Sequence, residues 1–405
     1  MREIIGLGYY AQLIALAGPI FLFACSSGAD SASSGGNAGT SAGCSVTLLG
    51  GATNCALSLS STVTTIAGPA AGASTSGDAD GVQNSARFSM PYHMAVSGGF
   101  LYLADLSNHK IRRLTIANNT VTTIAGPAAG TVTTGDTDGV GNAARFNQIR
   151  GITTDGTHIY IADGGNNKIR RYRISDGDVS TIAGPAQGST TSGDTDATGN
   201  LARFNGPFAI TMDTANLYIV DRSNNKIRKM VISTGAVSTL AGPAAGTTTS
   251  GDSDGTGNAA RFNAPNAITT DGTHLYVADM LNHKIRKIEI SNGAVTTLAG
   301  PAAGSVASGD ADGTGTTARF NAPNGITTDG TYLYVTDGGS HKIRRISIAT
   351  QAVTTIAGPS PGSSGSGDDN GQGSAAKFNW PIGITTDGQS LFVSEGTNNK
   401  IRKIQ

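Results

Sequence analysis

Closely spaced carboxylates recur along the chain in loops of the type Gly-Asp-x-Asp-Gly. The copies are Asp78 and Asp80, Asp136 and Asp138, Asp194 and Asp196, Asp252 and Asp254, Asp310 and Asp312, and the variant Asp368, Asp369 and Asn370. Two carboxylates at this spacing can bind calcium, but no copy supplies the bidentate Glu that completes an EF-hand loop. Asp residues also stabilise turns through their own backbone, and the nearby Arg87 and its copies could pair with them. Calcium on Asp252 and Asp254 therefore remains a hypothesis, and no other cofactor is predicted.

Histidine is a second candidate for chemistry, because three copies of one position are His109, His283 and His341. Zinc would need these side chains to converge and to leave an open coordination position. The other three copies are Asn, and both residue types tolerate a left-handed backbone, so a turn explains the position without a metal. Asp279 and its copies precede this turn, with Glu395 in the sixth copy. Since one active site needs one base, six copies indicate a structural role, and no catalytic residue is assigned.

A third group of candidates comes from the place where six near-copies disagree, just before a short apolar strand. These residues are Met90, Tyr92, Gln148, Arg150, Phe208, Asn266, Asn324, Trp380 and Ile382. Trp, Tyr and Arg are enriched in binding hot spots, and concave mouths with aromatic walls are ordinary ligand sites. If the strand lines a central channel, its start surrounds one mouth of that channel. This predicts a site for a protein, peptide or glycan ligand; the alternative is sequence drift where packing is loose.

All of these positions belong to one unit that repeats every 58 residues. Its Ala-Gly pair recurs without insertion or deletion, with the glycine at Gly68, Gly126, Gly184, Gly242, Gly300 and Gly358. A fixed period of this kind is typical of arrays of supersecondary units. Within each unit, β-branched and aromatic residues form four short runs, separated by turn signals such as Asp271-Gly272 and Asn292-Gly293. The runs predict four strands, and six such sheets around an axis make a β-propeller.

Residue types also indicate how each small sheet is layered. The second run, Leu275 to Ala278, is apolar on both faces, whereas the third, Lys284 to Ile288, carries Lys and Arg at alternate places. We therefore expect a sheet that is buried at its inner edge and more solvated at its outer edge. A long link, residues 242–265, returns from the outer strand to the axis and shares one face, called the top, with the turn between strands two and three. Phe262 and its copies in this link are candidates to wedge between blades.

The two ends of the repeat region predict how the ring closes. The region begins with a fourth strand, Thr62 to Ile66, and ends after a third strand, Lys400 to Ile404. Pairing these segments completes the last blade and covers an edge that would otherwise be exposed. The predicted fold is therefore an all-β, six-bladed propeller over residues 61–405, in which an N-terminal strand completes the last blade.

The stretch Leu-Tyr-Val-Ala-Asp-Met-Leu-Asn-His-Lys-Ile-Arg-Lys, residues 275–287, resembles the NHL repeat. The resemblance covers residues 61–405 and is to the bacterial lipoprotein type, whose long links between blades are similar. The WD dipeptide of WD40 blades and the paired glycines of kelch blades are absent. NHL families include RNA-binding modules, extracellular sensors of receptor kinases, and a metal-dependent peptide-amidating lyase that holds zinc with three histidines. The resemblance thus implies the fold, and function must be argued from the site.

The first sixty residues are typical of targeting and tethering. Residues 1–24 are mostly apolar, and Leu22 to Cys25 resembles a lipobox, which predicts a cleaved signal peptide and a lipid on Cys25. A transmembrane anchor is the alternative, because the apolar run is about long enough to span a bilayer. Residues 25–43 form a Gly/Ser/Ala-rich tether. In the short segment 44–60, Cys44 and Cys55 are expected to form a disulfide in an exported chain.

Composition argues against one class of partner. The chain carries 28 basic and 28 acidic side chains, so it lacks the cationic excess of nucleic-acid-binding proteins. We expect a monomeric binding module, exported and held by lipid at a bacterial outer membrane or cell surface, whose ligand lies over the top mouth of the channel. The competing predictions are a metal-dependent lyase or hydrolase at the same mouth, and a structural surface protein without a dedicated ligand.

Overall fold

The computed structural model describes residues 56–405, which form six antiparallel sheets with no helix longer than a single 3-10 turn. The predicted signal peptide, the lipidation site Cys25, the tether, and the predicted disulfide between Cys44 and Cys55 lie outside the described residues. The repeat therefore produces the all-β, six-bladed propeller that its spacing predicts. Among residues 56–405, no helix has the length and apolar character needed to cross a bilayer.

Each blade contains four main strands, counted from the axis outward. The innermost strands are Pro91–Ser97, Ile149–Thr154, Pro207–Met212, Pro265–Thr270, Pro323–Thr328 and Pro381–Thr386. The second strands are Phe100–Asp105, His158–Asp163, Asn216–Asp221, His274–Asp279, Tyr332–Asp337 and Leu391–Glu395. The third strands are Lys110–Thr115, Lys168–Arg173, Lys226–Val231, Lys284–Glu289, Lys342–Ser347 and Lys400–Ile404. The fourth strands are Thr120–Ala125, Asp178–Ala183, Val237–Ala241, Ala294–Ala299, Ala352–Ala357 and, in the sixth blade, Thr62–Ala67.

The links add a short outer strand that the four-strand prediction did not include. These fifth strands are Gly81–Val82, Gly139–Val140, Gly255–Thr256, Gly313–Thr314 and Gly371–Gln372. In the third blade a single bridge between Thr198 and Ala236 takes their place. One 3-10 turn follows at Gln83–Ser85, Gly141–Ala143, Gly199–Leu201, Gly257–Ala259, Gly315–Thr317 and Gly373–Ala375. The link therefore packs along the outer edge of a blade before it reaches the axis.

The ring closes as predicted from the two ends of the repeat region. Thr62–Ala67 runs antiparallel to Lys400–Ile404, with Val63 opposite Ile404 and Thr65 opposite Arg402. The same strand also pairs with Gly371–Gln372 on its outer side. The innermost strands contact one another in sequence, and Pro381–Thr386 contacts Pro91–Ser97, so the circle of blades is complete.

The phenylalanines of the links pack between blades, as predicted. Phe262 and its five copies are fully buried, and Phe262 shares a cluster with Val220 of the third blade and Val277 of the fourth. The guanidinium of Arg286 lies 5.3 Å from the centroid of the Phe262 ring. Burial of such rings supplies much of the hydrophobic driving force between blades.

The prediction of a solvated outer edge is wrong for the third strand. Lys284 and Arg286 are 0% exposed, and the same is true of their copies in every blade. Their side chains lie beneath the link. There they form ion pairs with carboxylates of the link and of the second strand. Lys284 and Arg286 therefore form a buried ionic layer beneath the link, whereas Lys287 on the other face of the strand stays partly exposed.

Candidate functional site

The top mouth of the axial channel is framed by two concentric sets of side chains from the six blades. The outer set consists of the residue before each innermost strand: Met90, Gln148, Gly206, Ala264, Ala322 and Trp380. The inner set lies two residues further on: Tyr92, Arg150, Phe208, Asn266, Asn324 and Ile382. The nine residues predicted for this site belong to these two sets, which differ in exposure.

Every residue of the outer set has a left-handed backbone, with φ from 49° to 62°. Gly206 adopts this conformation without strain, whereas Trp380 at φ 52° and Met90 at φ 58° are large residues in a region that disfavours them. Trp380 is 38% exposed and Met90 43% exposed, and Gln148 also faces solvent. Two large apolar side chains are therefore held open to solvent in neighbouring blades.

The turn position occupied by His or Asn holds the outer set in place. The Nδ1 atom of His341 accepts the Trp380 backbone N–H at 3.0 Å, and His109 and His283 do the same for the next blade. In the other blades the Oδ1 atom of an Asn accepts this bond, as Asn399 does from Met90 at 2.9 Å. All six residues have φ between 53° and 58°, which confirms the prediction of a left-handed turn position. His and Asn can replace each other here, because His Nδ1 and Asn Oδ1 both accept the bond at about the same distance from the backbone.

The inner set fills the channel instead of lining an open rim. Tyr92 and Phe208 meet edge to face with ring centroids 5.4 Å apart, although their blades are not adjacent. Asn266 donates from Nδ2 to Oδ1 of Asn324 at 3.0 Å. Tyr92, Phe208, Asn266, Asn324 and Ile382 are each at most 9% exposed. Part of the variation between blades is therefore explained by packing among unlike side chains that meet at the axis.

Arg150 is the one member of the inner set that remains partly exposed. Its guanidinium lies 5.0 Å from the Phe208 ring centroid, and its Nη2 atom donates to Oε1 of Gln148 at 2.8 Å. A second arginine, Arg222, lies 4.8 Å from the same ring. Arg222 was not among the predicted residues, because it follows the second strand rather than preceding the first. A signal was present, since the copies of its position also disagree: Leu106, Gly164, Met280, Gly338 and Gly396.

In the second and fifth blades, a glycine at the turn position accompanies a longer residue of the inner set. A Cβ atom at Gly164 would lie 2.8 Å from Nη1 of Arg150, and one at Gly338 would lie 2.2 Å from Nδ2 of Asn324. Neither contact is tolerable for a real side chain, so glycine makes room for the longer inner residue. In the third blade the inner residue is Phe208. The turn after the second strand there carries Arg222, whose guanidinium stacks on the Phe208 ring.

Burial changes the protonation equilibria of the mouth. Burial raises the pKa of Tyr92, and the nearby Asn266, Arg150 and Arg222 oppose this shift. Burial lowers the pKa of Arg150, Tyr92 opposes that shift, and the positive charge of Arg222 lowers the value further. His93 lies beside Phe208, and burial lowers its pKa to about 4. At neutral pH the mouth therefore carries two positive charges and a neutral imidazole.

The paired carboxylates of the links lie on buried cations. Asp252 accepts from Nζ of Lys284 at 2.6 Å and from the Gly304 N–H, and Asp254 accepts from Nη2 of Arg286 at 2.7 Å. Burial favours the neutral form of Asp252, but the bonds from Lys284 and Gly304 outweigh it, and the pKa is lowered. A calcium ion on this pair would have to compete with Lys284 and Arg286.

In the first five blades Arg87 and its copies do not pair with these carboxylates, contrary to the expectation from their proximity in sequence; in the sixth, Lys377 does pair with Asp369, at 2.9 Å. Arg87 donates from Nη1 to the backbone oxygens of Asn84 and Ala86 in its own 3-10 turn. The partners of the link carboxylates come instead from the third strand, 32 residues away in the case of Asp252 and Lys284.

The aspartate at the end of each second strand organises the blade. Asp279 is fully buried and accepts from the Asn263 N–H, from Asn282 Nδ2, and from Arg286 Nη1 at 2.8 Å. Burial raises its pKa to about 6, and the charge of Arg286 opposes the shift. This is the structural role predicted from its sixfold repetition. Among residues 56–405, no three His, Cys, Asp or Glu side chains are grouped so that they could hold a metal ion.

The fold and this mouth define a class of protein: six-bladed propellers in which near-identical blades differ where they meet the axis. No family model matches the chain. The chain is 28% identical to human NHL repeat-containing protein 2 over 334 residues, which is 75% of this chain and 44% of the relative. It is also 28% identical to the Arabidopsis thaliana protein SUPPRESSOR OF QUENCHING 1, chloroplastic, over 66% of this chain and 26% of the relative. The repeat, the six-bladed architecture and these NHL-repeat relatives are consistent with an NHL-repeat β-propeller. It spans less than half the length of these relatives.

Solved structures share the fold at low sequence identity. One is a protein of unknown function from Bacteroides thetaiotaomicron, with a TM-score of 0.60 at 22% identity, covering 85% of this chain and 75% of that one. Another, from the same organism, is described as an auxiliary nutrient binding protein, with a TM-score of 0.62 at 18% identity, covering 85% and 76%. At these identities the likeness concerns the fold alone.

Proposed function

We propose that this propeller is a binding module whose ligand lies on the top face, over the channel mouth. The observation that carries the proposal is the contrast within the repeat. The blades largely agree at core and ion-pair positions but disagree at the outer and inner sets of the mouth and at the turn position of Arg222. Trp380 and Met90 occupy a left-handed backbone position of the repeat with large, exposed apolar side chains. Other blades have a small residue at the same position, such as Gly206 or Ala264. A left-handed backbone costs a residue other than glycine roughly 1 kcal/mol or more. Folding alone therefore does not explain why large side chains occupy this position.

The mouth suits a ligand with distinct ends. Trp380 and Met90, from the sixth and first blades, offer an apolar surface, while Arg150 and Gln148 of the second blade offer polar groups next to it. A peptide, a glycan or a smaller nutrient could meet both. The description of one structural neighbour as an auxiliary nutrient binding protein supports a binding role over a purely structural one.

We further propose that the protein acts outside the cytoplasm, as a monomer held at a membrane surface through a lipid on Cys25. This rests on the apolar run that ends at Cys25 and on the Gly/Ser/Ala-rich residues that follow. A tether of this kind would leave the propeller free to meet ligands near the surface.

The experiment is a thermal-unfolding screen of the full chain against sugars, short peptides, nucleosides and small organic acids. A ligand that binds only the folded state raises the unfolding temperature, and the rise increases with the logarithm of ligand concentration above the Kd. Each hit is repeated with Trp380→Ala and with a matched control, Val306→Ala, which removes an exposed apolar side chain in a link. We expect the shift to disappear in Trp380→Ala and to remain in Val306→Ala. Equal shifts in both variants would place the binding elsewhere.

A further inference from the structure

Two half-buried arginines of the mouth, Arg150 and Arg222, converge on one aromatic ring and have no acidic partner within the described part of the chain. By contrast, the fully buried arginine at the third position of each third strand pairs with the carboxylate that ends the second strand, at 2.7 to 3.0 Å. No ion pair within residues 56–405 includes Arg150 or Arg222. Among the described residues, the buried Nε atom of Arg222 has no hydrogen-bond partner, as is also true of third-strand arginines such as Arg286, and the one partner of Arg150 is the side-chain oxygen of Gln148.

The pair is costly to the folded protein as it stands. Two guanidiniums share one aromatic ring, Phe208, and each positive charge disfavours the other. Stacking on a ring recovers part of the cost of burying each cation, but it does not satisfy the N–H donors that burial removes from water. A group that accepts hydrogen bonds and carries negative charge would relieve both costs at once.

The surroundings hold this arrangement in place. Gly164 leaves the space that the Arg150 guanidinium occupies, since a Cβ there would meet Nη1 at 2.8 Å. Phe208 is 5% exposed and is fixed by Tyr92 from across the channel. The two arginines come from adjacent blades, the second and the third, so they face one point on the rim of the mouth. None of the other blades places a charged residue at either of these two positions.

We propose that Arg150 and Arg222 form an oxyanion-binding subsite, which receives a carboxylate, sulfate or phosphate group of the ligand. The planar fork of N–H donors in a guanidinium matches such groups bidentately, and desolvation strengthens the bond. This inference rests on the proposed binding function and names the chemistry of one end of the ligand. The apolar end then lies toward Met90 and Trp380.

The test uses succinate, sulfate and inorganic phosphate as probes on the full chain, with ionic strength held constant by sodium chloride. Affinity is measured by calorimetric titration and by the shift in unfolding temperature. We expect the wild type to bind all three anions, or only the carboxylate succinate, or only the tetrahedral anions sulfate and phosphate. Arg150→Gln and Arg222→Gln should each weaken that binding by about tenfold or more, because each removes a charge-assisted fork. Preference for succinate or for the tetrahedral anions identifies which oxyanion the ligand carries.

Two control variants keep the proposal falsifiable. Arg345→Gln removes an arginine that also stacks on an aromatic ring, Tyr332, but on a third strand away from the mouth, and should leave anion binding unchanged. Arg150→Lys keeps the charge and loses the fork, and should restore only part of the affinity. Absence of anion binding in the wild type, or equal binding in Arg150→Gln, Arg222→Gln and Arg345→Gln, overturns the subsite. If a ligand from the broader screen still depends on Trp380 in that case, the binding function stands without it.

Discussion

The Nδ1 atom of His341 accepts the backbone N–H of Trp380 at 3.0 Å, and this bond joins the fifth blade to the sixth. The acceptor must be unprotonated, so the bond exists only while the imidazole is neutral. His109 and His283 make the same bond between other blades. Half of the contacts of this kind in the ring are therefore sensitive to pH, and the Asn half is not.

We predict that the stabilisation contributed by these three histidines declines as pH falls below about 6.5, the ordinary value for histidine. Burial lowers the pKa of His109, His283 and His341 in the fold, so their contribution is complete above that pH and is lost as pH falls through the folded value. Each bond should contribute about 1 kcal/mol. The measurement is the free energy of unfolding by urea between pH 7.5 and 5.

The matched variant is the triple substitution His109→Asn, His283→Asn and His341→Asn, which copies the residue found in the other three blades. Its stability should fall less steeply with acid than that of the wild type. His93, whose pKa burial lowers to about 4, is present in both proteins, so the difference between the two pH profiles reports the three turn histidines alone. Parallel pH profiles for the two proteins would show that these bonds do not carry the effect.

A second prediction concerns the ionic network of each blade. Asp279→Ala should cost about 3–5 kcal/mol, because it leaves the buried guanidinium of Arg286 without its nearest carboxylate. Asp254→Asn should stay within about 1 kcal/mol of the wild type, since an amide oxygen still accepts from Arg286. The sixth blade already shows this arrangement, where Oδ1 of Asn370 accepts from Nη2 of Arg402 at 2.9 Å. Equal losses in urea unfolding for the two variants would contradict the assignment.

How far the fold can be predicted from sequence depends on how many residues of the chain separate two groups that contact each other. The 58-residue spacing and the turn residues predict the blades, because strand neighbours within a blade are joined by short hairpins. Ring closure is predicted differently, from the missing fourth strand at the C-terminal end and the extra one, Thr62–Ala67, at the start. The burial of Lys284 was missed because its partner Asp252 lies 32 residues away, and no local pattern links them. The fifth strand, Gly255–Thr256, is too short to show any alternation.

The mouth was located from sequence but not resolved in detail. Disagreement between copies identified both sets of residues, yet it could not separate Trp380, which is exposed, from Phe208, which is buried. That difference depends on contacts across the axis, such as the one between Tyr92 and Phe208. Contacts between blades across the axis form only in the closed ring. They produce no repeating pattern in the sequence, so sequence analysis cannot predict them.

The closure of the ring gives a third prediction. Deletion of residues 61–68 removes Val63 and Ile66, which are 0% and 6% exposed, and should cost on the order of 5 kcal/mol. It also leaves Lys400–Ile404 as an unpaired edge, so aggregation on heating should increase. Deletion of residues 26–43 is the control and should not change the unfolding temperature. If the two deletion proteins melt together at the wild-type temperature, the N-terminal strand does not support the last blade.

A fourth prediction tests the membrane attachment. Cys25→Ser should move the protein from the membrane fraction to the soluble fraction, because the acyl chains of a lipidated cysteine provide the anchor. The fractions are compared by immunoblot, and metabolic labelling with a fatty acid should be lost in the same variant. Retention of Cys25→Ser in the membrane would favour the transmembrane anchor that the apolar run also allows.

The fifth prediction separates binding from stability at the mouth. Trp380→Gly replaces a bulky left-handed residue with the one found in the third blade, Gly206, and should leave the free energy of unfolding within about 1 kcal/mol of the wild type. Phe208→Ala should cost about 3–5 kcal/mol, because the ring is 5% exposed and packs against Tyr92. Ligand affinity, measured with any compound that shifts the wild-type unfolding temperature, should fall about tenfold or more in Trp380→Gly. A stable Trp380→Gly protein that binds as tightly as the wild type would mean that the exposed indole is no part of the ligand site.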